Sequence, residues 1–272
     1  MTESPIGMLD SGLGGLSILR EVRRHLPEED VVFIADQAHV PYGPRPLAQV
    51  REFSVAITRL LLEMGAKAIV VACNTASAAA LRHLRVAFPQ IPFVGMEPAV
   101  KPAAEMSRTR TVGVLATPTT FQGELFASVV ERFAGGVRVI PQTLPGLVER
   151  IEACDLDGPQ TRAILHQAIA PLLAQGVDTL VLACTHYPFV IPLISSMAGP
   201  EVRVIDPSPA IARQAQRVLD EKGLRAPSGR EGRILYVSSR DAGRLLQMAV
   251  TLIGAAGEAR QAIWEGETIR LA

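Results

Sequence analysis

The chain has 272 residues with 27 Lys and Arg against 27 Asp and Glu, so its formal net charge at pH 7 is zero. That balance sets up no field for nucleic-acid phosphates or anionic lipid, and neither nucleic acid nor a membrane is expected as a partner. Hydrophobic residues make up 48% and charged residues 20%, which suits one large or two modest globular domains, and apolar runs such as 68–73 are too short to span a bilayer.

The start, Met1-Thr2-Glu3-Ser4-Pro5, carries neither a basic segment followed by an apolar stretch nor a small-residue cleavage site, so a cytoplasmic location is expected. Next, short β-branched runs alternate with longer amphipathic stretches. In chain order the predicted strands are 6–9, 31–35, 68–72, 93–95, 111–115, 137–140, 179–183, 202–205 and 233–237. Predicted helices between them include 14–25, 46–64, 75–87, 123–133, 161–175, 209–221 and 242–255. Most strand runs are continuously apolar, as strands covered on both faces of a mostly parallel sheet must be, so the fold class is α/β.

An internal repeat organises the chain. The run from Gly65 to Cys73 lines up with the run from Gly176 to Cys184, 111 residues on; Ile6–Leu9 echoes Val112–Leu115, and Gly95-Met96-Glu97-Pro98 echoes Val204-Ile205-Asp206-Pro207. Three matches in one order predict two α/β halves of like topology, each ending a strand at a cysteine. Ligands of open parallel sheets sit at the carboxyl ends of strands. Cys73 and Cys184 are therefore expected to face a common cleft.

Three cysteines, at 73, 154 and 184, contain no CxxC spacing, which argues against a disulfide framework or a structural zinc and points to thiol chemistry. Cys73-Asn74-Thr75 and Cys184-Thr185-His186 each place a thiol at a strand-to-helix junction, where a helix N-terminus favours the thiolate. Cys154, without a repeat partner, reads as structural or incidental. Asp10-Ser11-Gly12-Leu13-Gly14-Gly15 after the first strand is a tight turn whose amides can hold an anion or be capped by Asp10 or Ser11; it is neither a dinucleotide fingerprint nor a P-loop.

Two opposed thiols, one deprotonated, can remove a proton from one face of a carbon and return one to the other, inverting it by general acid–base catalysis. Other chemistries fit less well. A cysteine hydrolase would use His186 as base for Cys184 and leave Cys73 without a task, and metal ligation by Cys73, Cys184 and His186 lacks a clustered motif. Pyridoxal phosphate needs a Schiff-base lysine, and Lys67, Lys101 and Lys222 are poorly placed, so a mechanism with no cofactor and no metal is preferred. From another class, a two-lobed amino-acid-binding protein stays open, though it gives no reason for matched thiols.

With these residues the chain resembles the cofactor-independent aspartate/glutamate racemase superfamily over nearly its whole length. The matching pieces are Asp10–Gly15, Pro41-Tyr42-Gly43, Val70–Ser77, Gly95–Pro98, Val112–Thr120, Leu147-Val148-Glu149 and Leu182–Pro188; His186-Tyr187-Pro188 after the second cysteine is similar to the glutamate branch. The resemblance implies interconversion of L- and D-glutamate, with D-glutamate going to peptidoglycan, by a cytoplasmic homodimer. It implies that Cys73 serves the D-enantiomer and Cys184 the L-enantiomer, with Asp10 and His186 assisting and Glu149 as a further polar residue near the site. Ser11, Pro41, Tyr42, Gly43, Asn74, Thr75, Thr117, Thr120 and Thr185 are implied to hold the substrate. Racemisation of aspartate or another amino acid, or another reaction on the same scaffold, is the runner-up.

Two flavodoxin-like domains are expected, residues 1–97 with 207–272 and residues 98–206, with the cleft between them. The chain departs from its relatives at Phe126, where a Tyr is common, and in the Pro-rich run 41–46. Its short N-terminus lacks the extension of relatives that need an activator, so activity without one is expected.

Overall fold

A computed structural model describes residues 2–272. Its strands are β1 (Ile6–Asp10), β2 (Val31–Ala35), β3 (Ala68–Val71), β4 (Phe93–Val94), β5 (Thr111–Ala116), β6 (Arg138–Thr143), β7 (Thr179–Ala183), β8 (Arg203–Ile205), β9 (Ile234–Ser238), β10 (Glu258–Glu265) and β11 (Thr268–Leu271). They form two sheets, β11-β10-β9-β2-β1-β3-β4 and β6-β5-β7-β8. All pairings are parallel except β10 with β11.

The order β2-β1-β3-β4 in one sheet is repeated as β6-β5-β7-β8 in the other, so the sequence echo corresponds to one topology used twice. Each sheet with its helices is an α/β domain. Both ends of the chain build the larger one, whose sheet β9, β10 and β11 extend beyond β2.

Period-two alternation splits the larger domain's apolar side chains between two cores. Ile6, Met8, Phe33 and Val70 face the layer that includes Leu16, Leu19, Ala212 and Leu245. Leu9, Ile34, Val71 and Cys73 face the layer that includes Ile57, Leu61, Ala80 and Leu84. Each aliphatic side chain so buried contributes about 1.5–3 kcal/mol, which is why strands this short hold register.

Within each repeated unit the order reverses direction between β1 and β3, and between β5 and β7. In such sheets the crevice lies at the carboxyl ends of the strands flanking that reversal. Asp10 ends β1, Cys73 follows β3, Thr117 follows β5 and Cys184 follows β7. The topology places two of these positions at the carboxyl edge of each sheet.

Two parts of the fold differ from the sequence expectation. The hairpin β10–β11 lies beyond the last predicted element; polar with Glu258, Arg260, Glu265, Glu267 and Arg270, it is an edge element that buries only Ala262 and Ile269. A short helix, Leu147–Glu152, forms where only a match to relatives stood. No described helix is long and apolar enough to cross a membrane.

Candidate active site

The glycine turn after β1 is closed by carboxylates of this chain. Asp10, fully buried, accepts the N–H groups of Ser11 (2.8 Å) and Gly15, and Glu152 of the other domain accepts the N–H of Leu13 at 2.6 Å. The amides of Ser11, Leu13 and Gly15 are thus held by protein carboxylates. Glycine is required for close approach: a Cβ on Gly12 would strike the Glu152 carboxylate, and one on Gly14 would strike Thr185 and the His186 ring.

Cys73 is the N-cap of the helix Asn74–Ala87, its Sγ accepting the N–H of Ala76 at 3.4 Å. Cys184 sits differently. It is followed by Thr185, His186 and a 3₁₀ turn, Tyr187–Val190, rather than directly by an α-helix. Its Sγ lies 3.9 Å from Nδ1 of His186, and Nε2 of His186 lies 2.6 Å from Oε1 of Glu152.

Both thiols, with Ser11, Pro41, Tyr42, Gly43, Asn74, Thr75, Thr117, Val148, Thr185 and His186, line one cavity between the domains. Thr120 lies behind Thr117, their hydroxyls 2.9 Å apart, and Thr117 is 2.9 Å from the hydroxyl of Thr75 across the interface. Both side-chain polar atoms of Asn74 are buried without a partner. Thr119 fastens the loop of Pro41-Tyr42-Gly43 to the smaller domain, its hydroxyl donating to the carbonyls of Gly43 (2.7 Å) and Arg45 (2.9 Å).

Electrostatics divide the cavity into two halves. On the Cys73 side, burial raises Asp10 to about 6 even though the His186 charge, the N–H groups of Gly15 and Ser11 and Cys73 pull it down. Burial, then the Asp10 charge, pushes the Cys73 thiol well above its ordinary range, against the N–H of Ala76. This corrects the expectation of a thiolate favoured by the helix N-terminus: a buried thiol beside a carboxylate stays protonated in the free protein. On the other side, burial would depress His186, but its contacts with Cys184 and Glu152 hold it well above 6.5. Glu152 is in turn held below its ordinary 4.5 because His186, Leu13 and Gln37 outweigh its burial.

Glu149 does not reach this ion pair. It is exposed and borders a neighbouring opening with Pro41, Gly43, Val148 and Tyr187. The carboxylate that meets His186 is Glu152, one turn further along the same helix, because its face turns toward β1 and the loop after β7. Sequence reasoning also missed Val148 as a cavity residue, Gln37, whose Nε2 lies 3.4 Å from Glu152, and Thr119. Cys154 is half-buried outside the cavity, its Sγ 3.8 Å from the sulfur of Met248. Phe126 packs edge-on against Phe121, also outside the cavity lining.

Residues 15–215 match the family described as Asp/Glu/Hydantoin racemase. Glutamate racemases from Pseudomonas aeruginosa and Ectopseudomonas mendocina are 55% and 50% identical to the chain. The matches cover 81% and 93% of this chain and 83% and 96% of those proteins. The chain belongs to the Asp/Glu/hydantoin racemase family. It is an amino-acid racemase, an isomerase.

Solved structures agree with this racemase in fold over almost its full length. Glutamate racemase isoform RacE1 from Bacillus anthracis superposes with a TM-score of 0.88 at 29% identity, covering 98% of this chain and 100% of that one. The Escherichia coli glutamate racemase in complex with L-glutamate and the activator UDP-MurNAc-ala gives 0.81 at 30% identity, covering 94% and 96%. The Francisella tularensis enzyme in complex with D-glutamate gives 0.83 at 25% identity, covering 97% and 98%.

Proposed function

We propose that this racemase interconverts L- and D-glutamate by a two-base mechanism in which Cys73 and Cys184 act from opposite faces of the α-carbon, with no cofactor. The observation that carries the reading is that the thiols following β3 and β7, equivalent positions of the repeated topology, line the same cavity.

In each direction one cysteine, as thiolate, takes the α-proton, and the opposite thiol gives its own proton to the other face of the carbanion. The proton inventory of the pair is unchanged, and the two sulfurs exchange states at each turnover. Cys184 takes the proton of L-glutamate, with His186 beside it to exchange protons; Cys73 takes that of D-glutamate, with Asp10 as its partner. The free cleft leaves Cys73 protonated, and the substrate's ammonium is the positive charge that makes a thiolate affordable there.

Ser11, Asn74, Thr75, Thr117 and Thr185, with the Pro41-Tyr42-Gly43 wall and Thr120 behind Thr117, supply neutral donors for the two carboxylates. The cavity measures about 10 Å³, the space of roughly one water, so glutamate enters only as domains 1–97 with 207–272 and 98–206 part. The reading extends to a cytoplasmic homodimer whose D-glutamate enters peptidoglycan, as the family resemblance implies.

The test is turnover of L-glutamate, with aspartate in parallel, by the wild-type chain and by Cys73→Ser and Cys184→Ser. Loss of about 10³-fold or more in each variant, with the fold intact by circular dichroism, is expected from removal of an acid–base group. Undiminished turnover in either variant contradicts the two-thiol assignment, and preference for aspartate contradicts the substrate.

A further inference from the structure

Asp36, directly after β2, is fully buried and carries no bond from a lysine or arginine side chain. Both its oxygens are fully engaged. Oδ1 accepts from the hydroxyl of Ser239 at 2.7 Å and the indole N–H of Trp264 at 2.8 Å. Oδ2 accepts from the hydroxyl of Tyr42 at 2.7 Å and lies 2.9 Å from Nδ1 of His39. One oxygen thus belongs to the C-terminal segment, the other to the loop leading into the cavity wall.

Trp264 lies on β10, more than two hundred residues from Asp36 in sequence, and does not line the cavity. Tyr42 does line it. An indole N–H has one direction to donate in and a buried carboxylate without it loses a bond that offsets its desolvation. The contacts around the link are aromatic: His39 stacks flat on Phe53 at 4.0 Å, and Trp264 meets both rings edge-on at 4.9 and 5.4 Å. Indole N–H, carboxylate and tyrosine hydroxyl thus form one hydrogen-bonded chain inside an aromatic cluster.

We infer that Trp264 is a positioning residue for the substrate cleft: through Asp36 it fixes the hydroxyl of Tyr42, so the C-terminal hairpin sets how tightly the cleft holds its substrate. The inference rests on the reading of Tyr42 as part of the substrate wall. Its effect falls on binding rather than on proton transfer, because neither Trp264 nor Asp36 touches Cys73 or Cys184.

Trp264→Phe keeps a ring and removes the N–H. With D-glutamate as substrate, KM rises about 3–30-fold and kcat stays within about 2-fold, the range expected for one lost bond to a charged group passed on through a second. Tyr42→Phe raises KM likewise, and the double variant is no worse than Tyr42→Phe alone, since both act through one carboxylate. A merely structural role would make the effects multiply, and an unchanged KM in Trp264→Phe would equally overturn the inference.

Should Trp264→Phe not fold, Ser239→Ala removes the other Oδ1 donor and is expected to raise KM in the same way. Trp264 is the sole tryptophan, which separates the link from the substrate assignment. Absence of glutamate turnover by the wild type would refute the substrate. In the free protein, Tyr42→Phe still shifts the emission of Trp264 if the link exists, and unchanged emission overturns it.

Discussion

Oε1 of Glu152 lies 2.6 Å from Nε2 of His186 and 2.6 Å from the amide of Leu13, so one carboxylate ties His186 of the smaller domain to the larger domain's glycine turn.

Glu152→Gln removes the charge from that junction. A histidine raised above 6.5 stabilises the fold fully below that pH and loses the contribution as pH rises through its folded value. A glutamate held below 4.5 stabilises above that pH and loses the contribution as pH falls through its folded value. The pair is complete between about pH 4.5 and 6.5. In that window the variant is expected to be less stable by about 2–4 kcal/mol, with the gap narrowing on both sides, as urea unfolding across the pH range measures. His186 should titrate nearer 6.5 by NMR, and kcat/KM should fall about 10²-fold. A pH-independent gap would contradict the assignment.

Asp10 carries the opposite sign to Glu152. Its folded value is raised from 3.8 to about 6, so its contribution is full below pH 3.8 and lost as pH rises through about 6. Compared with Asp10→Asn, which does not titrate, the wild type should lose roughly 3 kcal/mol between pH 3.8 and 7, at 1.36 kcal/mol per pH unit. Paired urea curves at pH 4 and 7 test this; a constant difference would mean that Asp10 is not the strained group of the Cys73 half.

Asn74 is the cavity-lining side chain whose two buried polar atoms have no hydrogen-bond partner within the protein. Asn74→Leu is expected to raise the stability of the free protein by about 1 kcal/mol, because an unmet buried amide costs more than an apolar group of like shape. The same change should raise KM for glutamate at least about 10-fold. Thermal unfolding and initial rates read the two effects. A variant that is destabilised with an unaltered KM would remove Asn74 from the substrate site.

Much of the frame was legible because it depends on local pattern. Strands β2 and β7 begin and end where their apolar runs do, and the echo between the Cys73 and Cys184 runs corresponds to strands β3 and β7 at equivalent places in two sheets. Hairpin β10–β11 was hidden because an edge pair exposes charged side chains and so reads as loop. Glu149 was singled out because Leu147-Val148-Glu149 matches relatives; only the packing of Leu147, Val148 and Ile151 decides that Glu152, three residues on in the same short helix, turns inward instead. The state of Cys73 was equally out of reach: a helix N-terminus is visible in sequence, whereas the burial and the adjacent Asp10 charge that overrule it are properties of the assembled cleft.

The central claim is that two thiols facing one cavity exchange the α-proton of glutamate across its plane. The most direct measurement incubates the wild-type chain with L-glutamate in deuterated buffer, without added metal or cofactor, and follows optical rotation and the α-proton NMR signal together. Loss of both to completion is the predicted result. Loss of the α-proton signal with rotation preserved would leave only one working base, and preservation of both would contradict the account outright.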